Sequence, residues 1–351
     1  MTSPGRRRLA ATAPAAVAGM FAAGCSGVQS ALEPAGREAA HIDELFIGVT
    51  AFCTLVFVAV FAAAGVALFG GRGLRARLAN DRVVIGGGIV FPMVALSVLL
   101  GLAVYVMSFG GSAGRGTGLR LHVDEAMASE AARESGLAIA VSGERWWWRV
   151  TYVLPDGRRF ESANELRLPV GEPVPVLLTS PDVIHSFWVP KLAGKLDMIP
   201  GRVNTQTITA TEPGVSRGQC AEYCGGAHAL MAFYVVAMPP DEFSAWLARE
   251  AGPAAATGAA EERGQALFMR YGCTGCHAVR GTGARGTIGP DLTHVGSRYS
   301  LGAGILPNDA AAFARWIRDN QHLKPENLMP PFEIFTDAEL GELAAYLEHL
   351  E

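Results

Sequence analysis

The 351-residue sequence predicts a multidomain protein with a two-helix transmembrane hairpin, an all-β sandwich or barrel and an all-α C-terminal domain. Three observations predict this order. Two long, uncharged apolar runs lie near the N-terminus, short β-type runs broken by Gly and Pro follow, and runs with helical spacing and Gly-rich loops come last. The net charge of −4 is mild, so nothing indicates nucleic-acid binding.

The N-terminus has the pattern of an export signal. Arg6, Arg7 and Arg8 form a positive region, and the small-residue apolar run "LAATAPAAVAGMFAAGC" follows them. We therefore expect residues 1–24 to be a signal peptide. The ending "AAGC" resembles a lipoprotein cleavage site with Cys25 as the lipid-bearing residue, although Ala22 stands where Leu is usual. The alternative is an ordinary signal with an incidental cysteine.

The two apolar runs cover residues 45–69 and 83–109, after an external N-terminal segment at 25–44. Each run exceeds the roughly 20 residues that span a bilayer core, so we expect a transmembrane hairpin over 45–110. The loop "GGRGLRARLAND" carries the arginines that favour the cytoplasmic side. If this loop is cytoplasmic, the mature N-terminus and everything after residue 110 lie on the outer side of the membrane. Cys53, alone in the first run, is interpreted as a small side chain that faces lipid or the neighbouring helix, and not as a metal ligand.

The part that follows the hairpin divides at a linker. Residues 118–250 show alternating β-type runs with turn signals such as "PDG". Residues 251–260, "AGPAAATGAA", have the composition of a linker. Residues 261–351 place apolar side chains at helical spacing in "AAFARWIRDN" and "DAELGELAAYLEHL".

The stretch "QCAEYCGGAHALM", residues 219–231, concentrates metal-ligand chemistry. A disulfide would leave the His and Met unexplained, and zinc rarely takes a thioether. Two thiolates, an imidazole and a weak thioether suit copper in electron transfer. A second imidazole, His185, lies in the apolar run "PDVIHSFWVP". The candidate ligands are therefore His185, Cys220, Glu222, Cys224, His228 and Met231.

A second motif, "CTGCH" at 273–277, is the signature of covalent c-type haem attachment. Cys273 and Cys276 are expected to form thioethers and His277 to ligate iron. Met329, in the Pro-stiffened "NLMPPF", is the expected second axial ligand, and a Met ligand raises the haem potential. Less favoured alternatives are His294 and His322, and Met269 is too close to the attachment helix to reach round the haem.

The stretches "VIHSFWVP", "KLDMIPGRVN" and "CAEYCGGAHALM" resemble subunit II of haem–copper cytochrome c oxidases over residues 41–250. "GTIGPDLTHVGSR" and "NLMPPF" resemble small monohaem cytochromes c. The first resemblance implies a cupredoxin-like domain with a dinuclear copper A centre and a magnesium ion shared with subunit I through the Glu222 side chain. It implies that Cys220 and Cys224 bridge both coppers, that His185 and Met231 complete one, and that His228 and the Glu222 carbonyl complete the other.

The resemblance bears on two further positions. In the run "RWWWRVTY", Trp146 resembles the family's exposed tryptophan at which electrons enter, while alternation predicts that one face of the run packs in the core. Many relatives carry a Glu seven residues before the helix proline. Counting back from Pro92 gives Ile85, so proton uptake by that route is in doubt.

The implied protein is a subunit of a proton-pumping oxidase in the bacterial inner membrane. It is two-pass, its C-terminal domains are periplasmic, and it carries its own fused cytochrome c. It is an enzyme only within the complex, because no oxygen-reducing site lies in this chain. The implied partners are subunit I, other oxidase subunits and a soluble cytochrome c or similar donor. The alternatives are a copper A and haem c subunit of a nitric- or nitrous-oxide-reducing complex, and a non-redox subunit like those of quinol oxidases.

Overall fold

The computed structural model describes residues 26–109, 125–254, 258 and 261–351. The predicted signal peptide and Cys25 lie outside the described residues. The described chain forms two units. One consists of the apolar helices, and the other contains the β domain and the C-terminal helical domain.

The apolar unit contains two helices of membrane-spanning length. They cover Arg37–Phe69 (33 residues) and Asp81–Tyr105 (25 residues), and the shorter is about 37 Å long at the usual rise per residue, against a bilayer core of about 30 Å. Large apolar side chains such as Leu55 and Leu100 are exposed on them, as expected for surfaces that face lipid. The first helix begins before the predicted span because the polar stretch from Arg37 to Glu44 is also helical. The helices are α1 (Arg37–Phe69), α2 (Arg72–Leu78), α3 (Asp81–Ile85), a π-helical segment (Gly86–Val90) and α4 (Phe91–Phe109).

The β domain is a sandwich of two five-stranded sheets that follow helix α5 (Glu125–Ser135). Strand order is β3-β2-β1-β5-β8 in one sheet and β4-β10-β9-β6-β7 in the other. The strands are β1 (Ala138–Glu144), β2 (Trp147–Val153), β3 (Arg159–Ala163), β4 (Glu165–Pro169), β5 (Val174–Thr179), β6 (His185–Trp188), β7 (Leu196–Met198), β8 (Asn204–Ile208), β9 (Gly214–Cys220) and β10 (Ala232–Met238).

Aromatic packing fills the sandwich. Trp148 on β2 lies with its ring centroid 4.8 Å from that of Phe233 and 5.9 Å from that of Phe187. All three are fully buried or nearly so. Alternate residues of β2 are buried because successive side chains of a strand point to opposite faces. The predicted all-β sandwich, and the placing of one tryptophan face in its core, are confirmed.

The C-terminal domain is helical, as predicted. Helix α6 (Pro240–Glu250) still belongs to the β domain, since Phe243 and Trp246 join its core. Gly264, on the helix Glu262–Arg270, lies where that helix crosses the helix Asp337–His349: a Cβ there would be 2.2 Å from the Glu342 carbonyl oxygen, so only glycine permits this approach. The Thr336 hydroxyl accepts from Glu339 in a capping box that starts the last helix. The three helices of this domain are α7 (Glu262–Arg270), α8 (Ala310–Leu323) and α9 (Asp337–His349).

The β domain and the helical domain pack against each other within one unit. The Ala232 amide, at the start of β10, donates to the Ala303 carbonyl at 3.0 Å. The Tyr299 amide donates to Glu165 Oε2 at 2.5 Å, and the ring centroids of Tyr234 and Tyr299 are 4.5 Å apart. These polar and aromatic contacts hold the haem-binding motif (residues 273–277) beside the cysteine-containing loop (residues 220–231), which we call the copper-type loop.

The start of the predicted linker bonds to the helical domain. The Ala254 amide donates to the Arg280 carbonyl at 3.0 Å, and Arg280 Nε donates to the Gly252 carbonyl at 3.2 Å. The start of this segment is therefore held by the helical domain, although its composition suggested free chain. Residues 255–257 and 259–260 lie outside the described residues.

Candidate metal centres

Strand pairing brings His185 to the cysteine-containing loop. Strands β6 and β9 are antiparallel, with Phe187 opposite Cys220, so His185 at the start of β6 lies near the end of β9. The loop after Cys220 folds back, because the Cys220 amide donates to the Met231 carbonyl at 2.9 Å and β10 begins at the next residue. One imidazole from a distant part of the sequence thus joins the loop.

The predicted copper ligands lie at spacings suitable for a shared metal. Bonds from a first-row metal to thiolate and imidazole are about 2.0–2.3 Å, so two donors on one ion are roughly 3.2–4 Å apart. The two cysteines are free rather than disulfide-bonded. The donor distances are Cys220 Sγ–Cys224 Sγ 3.7 Å, Cys220 Sγ–His185 Nδ1 3.8 Å, Cys224 Sγ–His228 Nδ1 3.4 Å, Cys224 Sγ–Met231 Sδ 3.9 Å and Cys220 Sγ–Glu222 carbonyl O 3.2 Å. The donor set and its spacing fit a dinuclear copper centre.

Asp182 orients the His185 ring. Its Oδ1 lies 3.0 Å from His185 Nε2, so Nδ1 faces Cys220. The Arg145 amide donates to the other carboxylate oxygen at 2.9 Å. Burial lowers the pKa of His185, but the Asp182 and Cys220 contacts outweigh burial and the pKa is raised. Asp182 was not predicted from the sequence, although an acid three residues before a candidate histidine was a usable signal.

The two thiols affect each other's acidity. The contact between the two sulfurs, 3.7 Å apart, lowers the pKa of Cys220 although burial opposes this, and the same contact raises the pKa of Cys224. A metal held by both sulfurs would require both of them as thiolates. Glu222 differs from the thiols: its side chain is 44% exposed and its Oε2 lies 3.6 Å from Lys195 Nζ.

The haem-binding motif lines a separate cavity of about 260 Å³. Cys273, Cys276, His277 and Met329 all face it. His277 Nδ1 lies 2.8 Å from the Pro290 carbonyl oxygen, an acceptor, so Nδ1 carries the proton and Nε2 is left as the metal ligand. Burial lowers the pKa of His277, which favours the neutral ring that a metal needs.

The Met329 loop is held by side-chain amides. Gln321 Nε2 donates to the Met329 carbonyl at 2.9 Å, and the Met329 amide donates to Asn327 Oδ1 at 3.0 Å. In the described chain, Met269, His294 and His322 line neither this cavity nor the smaller one that adjoins it. Met269 is 43% exposed, His322 is exposed, and His294 Nδ1 faces the Glu351 carbonyl.

A second cavity, about 110 Å³, adjoins the first and shares His277 and Met329 with it. Arg298 and Ser300 line this cavity and are each 8% exposed. Arg298 Nε and Ser300 Oγ have no hydrogen-bond partner among the described residues. Buried polar groups are normally paired, so these two point to a bound acidic group and fit a haem that carries carboxylates. Arg298 ends the stretch "GTIGPDLTHVGSR" and Ser300 follows it, but neither residue was predicted to bind a cofactor.

Trp146 connects the first cavity with the copper-type loop. Its Nε1 donates to the Cys224 carbonyl at 3.2 Å, and its side chain also lines the cavity of the haem motif. Gly225, with φ of 122°, allows this approach because a Cβ would lie 2.9 Å from the Trp146 ring. Trp146 is only 4% exposed. The expectation of an exposed tryptophan is wrong, because the helical domain packs over it.

Comparison with known proteins gives consistent matches for both domains. The family profile described as cytochrome c oxidase subunit II, periplasmic domain, matches residues 137–238, and the cytochrome c profile matches residues 261–351. The chain is 34% identical over 341 residues to cytochrome c oxidase subunit 2 of Alkalihalophilus pseudofirmus, covering 95% of this chain and 94% of the relative. It is 31% identical to the corresponding protein of Bacillus sp. strain PS3, covering 75% and 74%.

Among solved structures, the periplasmic domain of subunit II of cytochrome oxidase from Bradyrhizobium japonicum is similar. It is 33% identical and covers 33% of this chain and 94% of that one, with a TM-score of 0.31. The two matched domains imply a copper A centre and a haem as the cofactors of the chain.

Proposed function

Because this chain belongs to the cytochrome c oxidase subunit II family, we propose that it is the subunit at which electrons enter a respiratory oxidase. It receives electrons from a donor at its cytochrome c domain and passes them through its β domain to subunit I, where oxygen reduction is coupled to proton translocation. When bound, the copper pair and the haem would each take up and release one electron with little change in the positions of their ligands. The protein's own contribution is to hold them in fixed positions.

In this proposal the β domain supplies every donor of the copper centre. Cys220 and Cys224 would supply the thiolates shared by the two ions, which is supported by their 3.7 Å separation and their burial. His185 and Met231 would be the further ligands of one ion, and His228 and the Glu222 carbonyl those of the other. Asp182 holds the His185 ring, and the fully buried His185 and the buried Met231 exclude water from their side of the site.

In this proposal the helical domain would hold the haem covalently. Cys273 and Cys276 would carry the thioether links, and His277 Nε2 and the Met329 thioether would be the iron ligands. Support comes from the shared cavity and from the Pro290 carbonyl that fixes the His277 tautomer. Arg298 and Ser300 bind a haem carboxylate in the adjoining cavity.

The observation that carries the proposal is the position of Trp146. Its indole N–H bonds the carbonyl of the bridging Cys224, while its ring lines the cavity of Cys273, Cys276 and Met329. One aromatic residue therefore bonds to the loop of one site and lines the cavity of the other. We propose that electrons enter the copper centre here, from the fused haem domain instead of directly from a soluble protein.

The proposed setting is the inner membrane. The two apolar helices anchor the chain as a two-pass hairpin with both soluble domains on the periplasmic side. The proposed partners are subunit I, other oxidase subunits and a soluble cytochrome c or similar donor. The exposed Glu222 carboxylate is available to share a magnesium ion with subunit I. Removal of the N-terminal signal and lipidation of Cys25 remain part of this proposal.

Absorption and EPR spectra of the purified complex test the function. We expect a c-type haem band that survives denaturation, a mixed-valence copper signal, and oxygen consumption driven by a reduced donor. A complex that contains both cofactors but reduces nitric or nitrous oxide instead of oxygen would contradict the assignment.

A further inference from the structure

Lys324 lies at the contact between the two domains. It is one of three lysines in the sequence, follows helix α8, and is 2% exposed. Its Nζ donates to two main-chain carbonyls, that of Trp146 at 2.8 Å and that of Gly302 at 2.7 Å. A lysine of the haem domain therefore bonds the main chain of the aromatic residue that contacts the copper-type loop.

This burial is unfavourable unless the amine is well bonded. Long cationic side chains are rarely fully buried, and burial lowers the pKa of Lys324 to about 7, although the Cys224 thiol opposes this shift. The other two lysines behave ordinarily: Lys191 and Lys195 lie near the surface beside carboxylates. A buried lysine whose Nζ reaches across a domain contact indicates a specific role at that contact.

The main chain of Lys324 is tied to the loop of the expected axial ligand. Asn327 Nδ2 donates to the Lys324 carbonyl at 2.7 Å, and Asn327 Oδ1 accepts from the Met329 amide at 3.0 Å. A continuous series of contacts thus runs from Met329 through Asn327 and Lys324 to Trp146, and from the Trp146 indole to Cys224.

A second side chain of the same segment reaches the copper-type loop. The Glu326 carboxylate lies so close to Gly226 that a Cβ on that glycine would be 2.9 Å from Glu326 Oε2. Glu326 itself adopts the left-handed conformation, with φ of 64°. The segment from Lys324 to Glu326 is therefore shaped against both Trp146 and the loop between Cys224 and His228.

We propose that Lys324 is a positioning residue for electron transfer between the two domains: its Nζ holds the Trp146 main chain against the segment that leads to Met329. This inference rests on the proposed function, and it adds the contact that keeps the two centres at a fixed separation. Lys324 does not touch the reacting centres. It acts through Trp146.

The test is Lys324→Met in the full-length chain within the assembled complex. Methionine is similar in length to the apolar stem of lysine but has no group that can donate a hydrogen bond. We expect the haem spectrum, the haem midpoint potential and the copper EPR signal to be unchanged, while transfer from haem to copper slows severalfold. The Ala232 and Tyr299 amides bond across the contact, and their hydrogen exchange should become about tenfold faster, a change of ~1.4 kcal/mol in local opening.

Lys191→Met is the matched control, because Lys191 pairs with Glu33 away from this contact. It should leave the transfer rate and the amide exchange unchanged. The inference is overturned if Lys324→Met transfers electrons from haem to copper at the wild-type rate and its amides exchange at the wild-type rate. Absence of the copper or haem signal from the wild-type complex would instead contradict the proposed function.

Amine acetylation of the wild-type complex keeps the inference testable if Lys324→Met does not assemble. Lys195, 49% exposed, should react at least about tenfold faster than Lys324, which is accessible only through local opening. Loss of transfer should follow modification of Lys324 and not of Lys195. Complexes acetylated at Lys324 that transfer electrons at the full rate would overturn the inference.

Discussion

Replacing Asp182 by Asn should weaken copper binding without unfolding the β domain. The carboxylate accepts from His185 at 3.0 Å, from the Val183 amide at 2.6 Å and from the Arg145 amide at 2.9 Å. Asparagine keeps the size of the side chain but loses its charge, and one of its two terminal atoms can no longer accept.

The magnitude follows from these contacts. A hydrogen bond to a charged group contributes about 1.5–3 kcal/mol, and each ~1.4 kcal/mol is a factor of ten. Asp182→Asn should therefore lower copper affinity by roughly 10- to 100-fold, the range found when partners of metal-bound histidines are replaced. The haem domain keeps its own ligands, so the haem spectrum should not change.

Competition with a copper chelator, followed by the copper EPR signal, measures this effect. Asp156→Asn is the matched control, because Asp156 is half exposed in the turn between β2 and β3 and pairs only with Arg158 in the described structure. The reasoning is refuted if Asp182→Asn retains copper as strongly as the control.

Three further outcomes are expected. Cys224→Ser should abolish the mixed-valence copper signal while the haem band survives, because the haem ligands lie in another domain; a persisting EPR signal of the mixed-valence pair would exclude the bridging role. Met329→Ala should leave haem attached through Cys273 and Cys276 but lower its midpoint potential in a redox titration; an unchanged potential would indicate another axial ligand. Truncation at Gly258 should preserve copper binding and mediator-driven oxygen consumption but slow oxidation of the physiological donor, since the tethered haem domain no longer provides a high effective concentration. Donor oxidation at the full rate would place the haem domain off the main path.

The sequence specified the ligands better than their surroundings. Cys220, Cys224, His228 and Met231 could be selected because residue type and spacing within one loop express metal chemistry directly. His185 could be proposed only as a second imidazole in an apolar run, and its place beside one copper came from the resemblance to a family, since no local pattern reports which strands pair. The fold class followed from hydropathy and turn punctuation, which are local properties.

The features that the sequence did not reveal depend on packing between distant segments. Trp146 was expected to be exposed, and its burial comes from a domain more than a hundred residues away in sequence. The role of Lys324 could not be predicted, because nothing in the neighbouring sequence indicates that its amine bonds the Trp146 carbonyl. Arg298 was visible within a quoted stretch, but only the cavity shows that its Nε has no partner among the described residues.

Time-resolved spectroscopy of a single injected electron tests the central claim most directly. The claim is that electrons cross from the haem domain to the copper centre beside Trp146. An electron delivered to the haem of the intact complex should leave it and reduce copper with one common rate constant, and Trp146→Leu should slow that step while both resting spectra persist. Reduction of copper that precedes or bypasses reduction of the haem, at a rate unchanged in Trp146→Leu, would contradict the account.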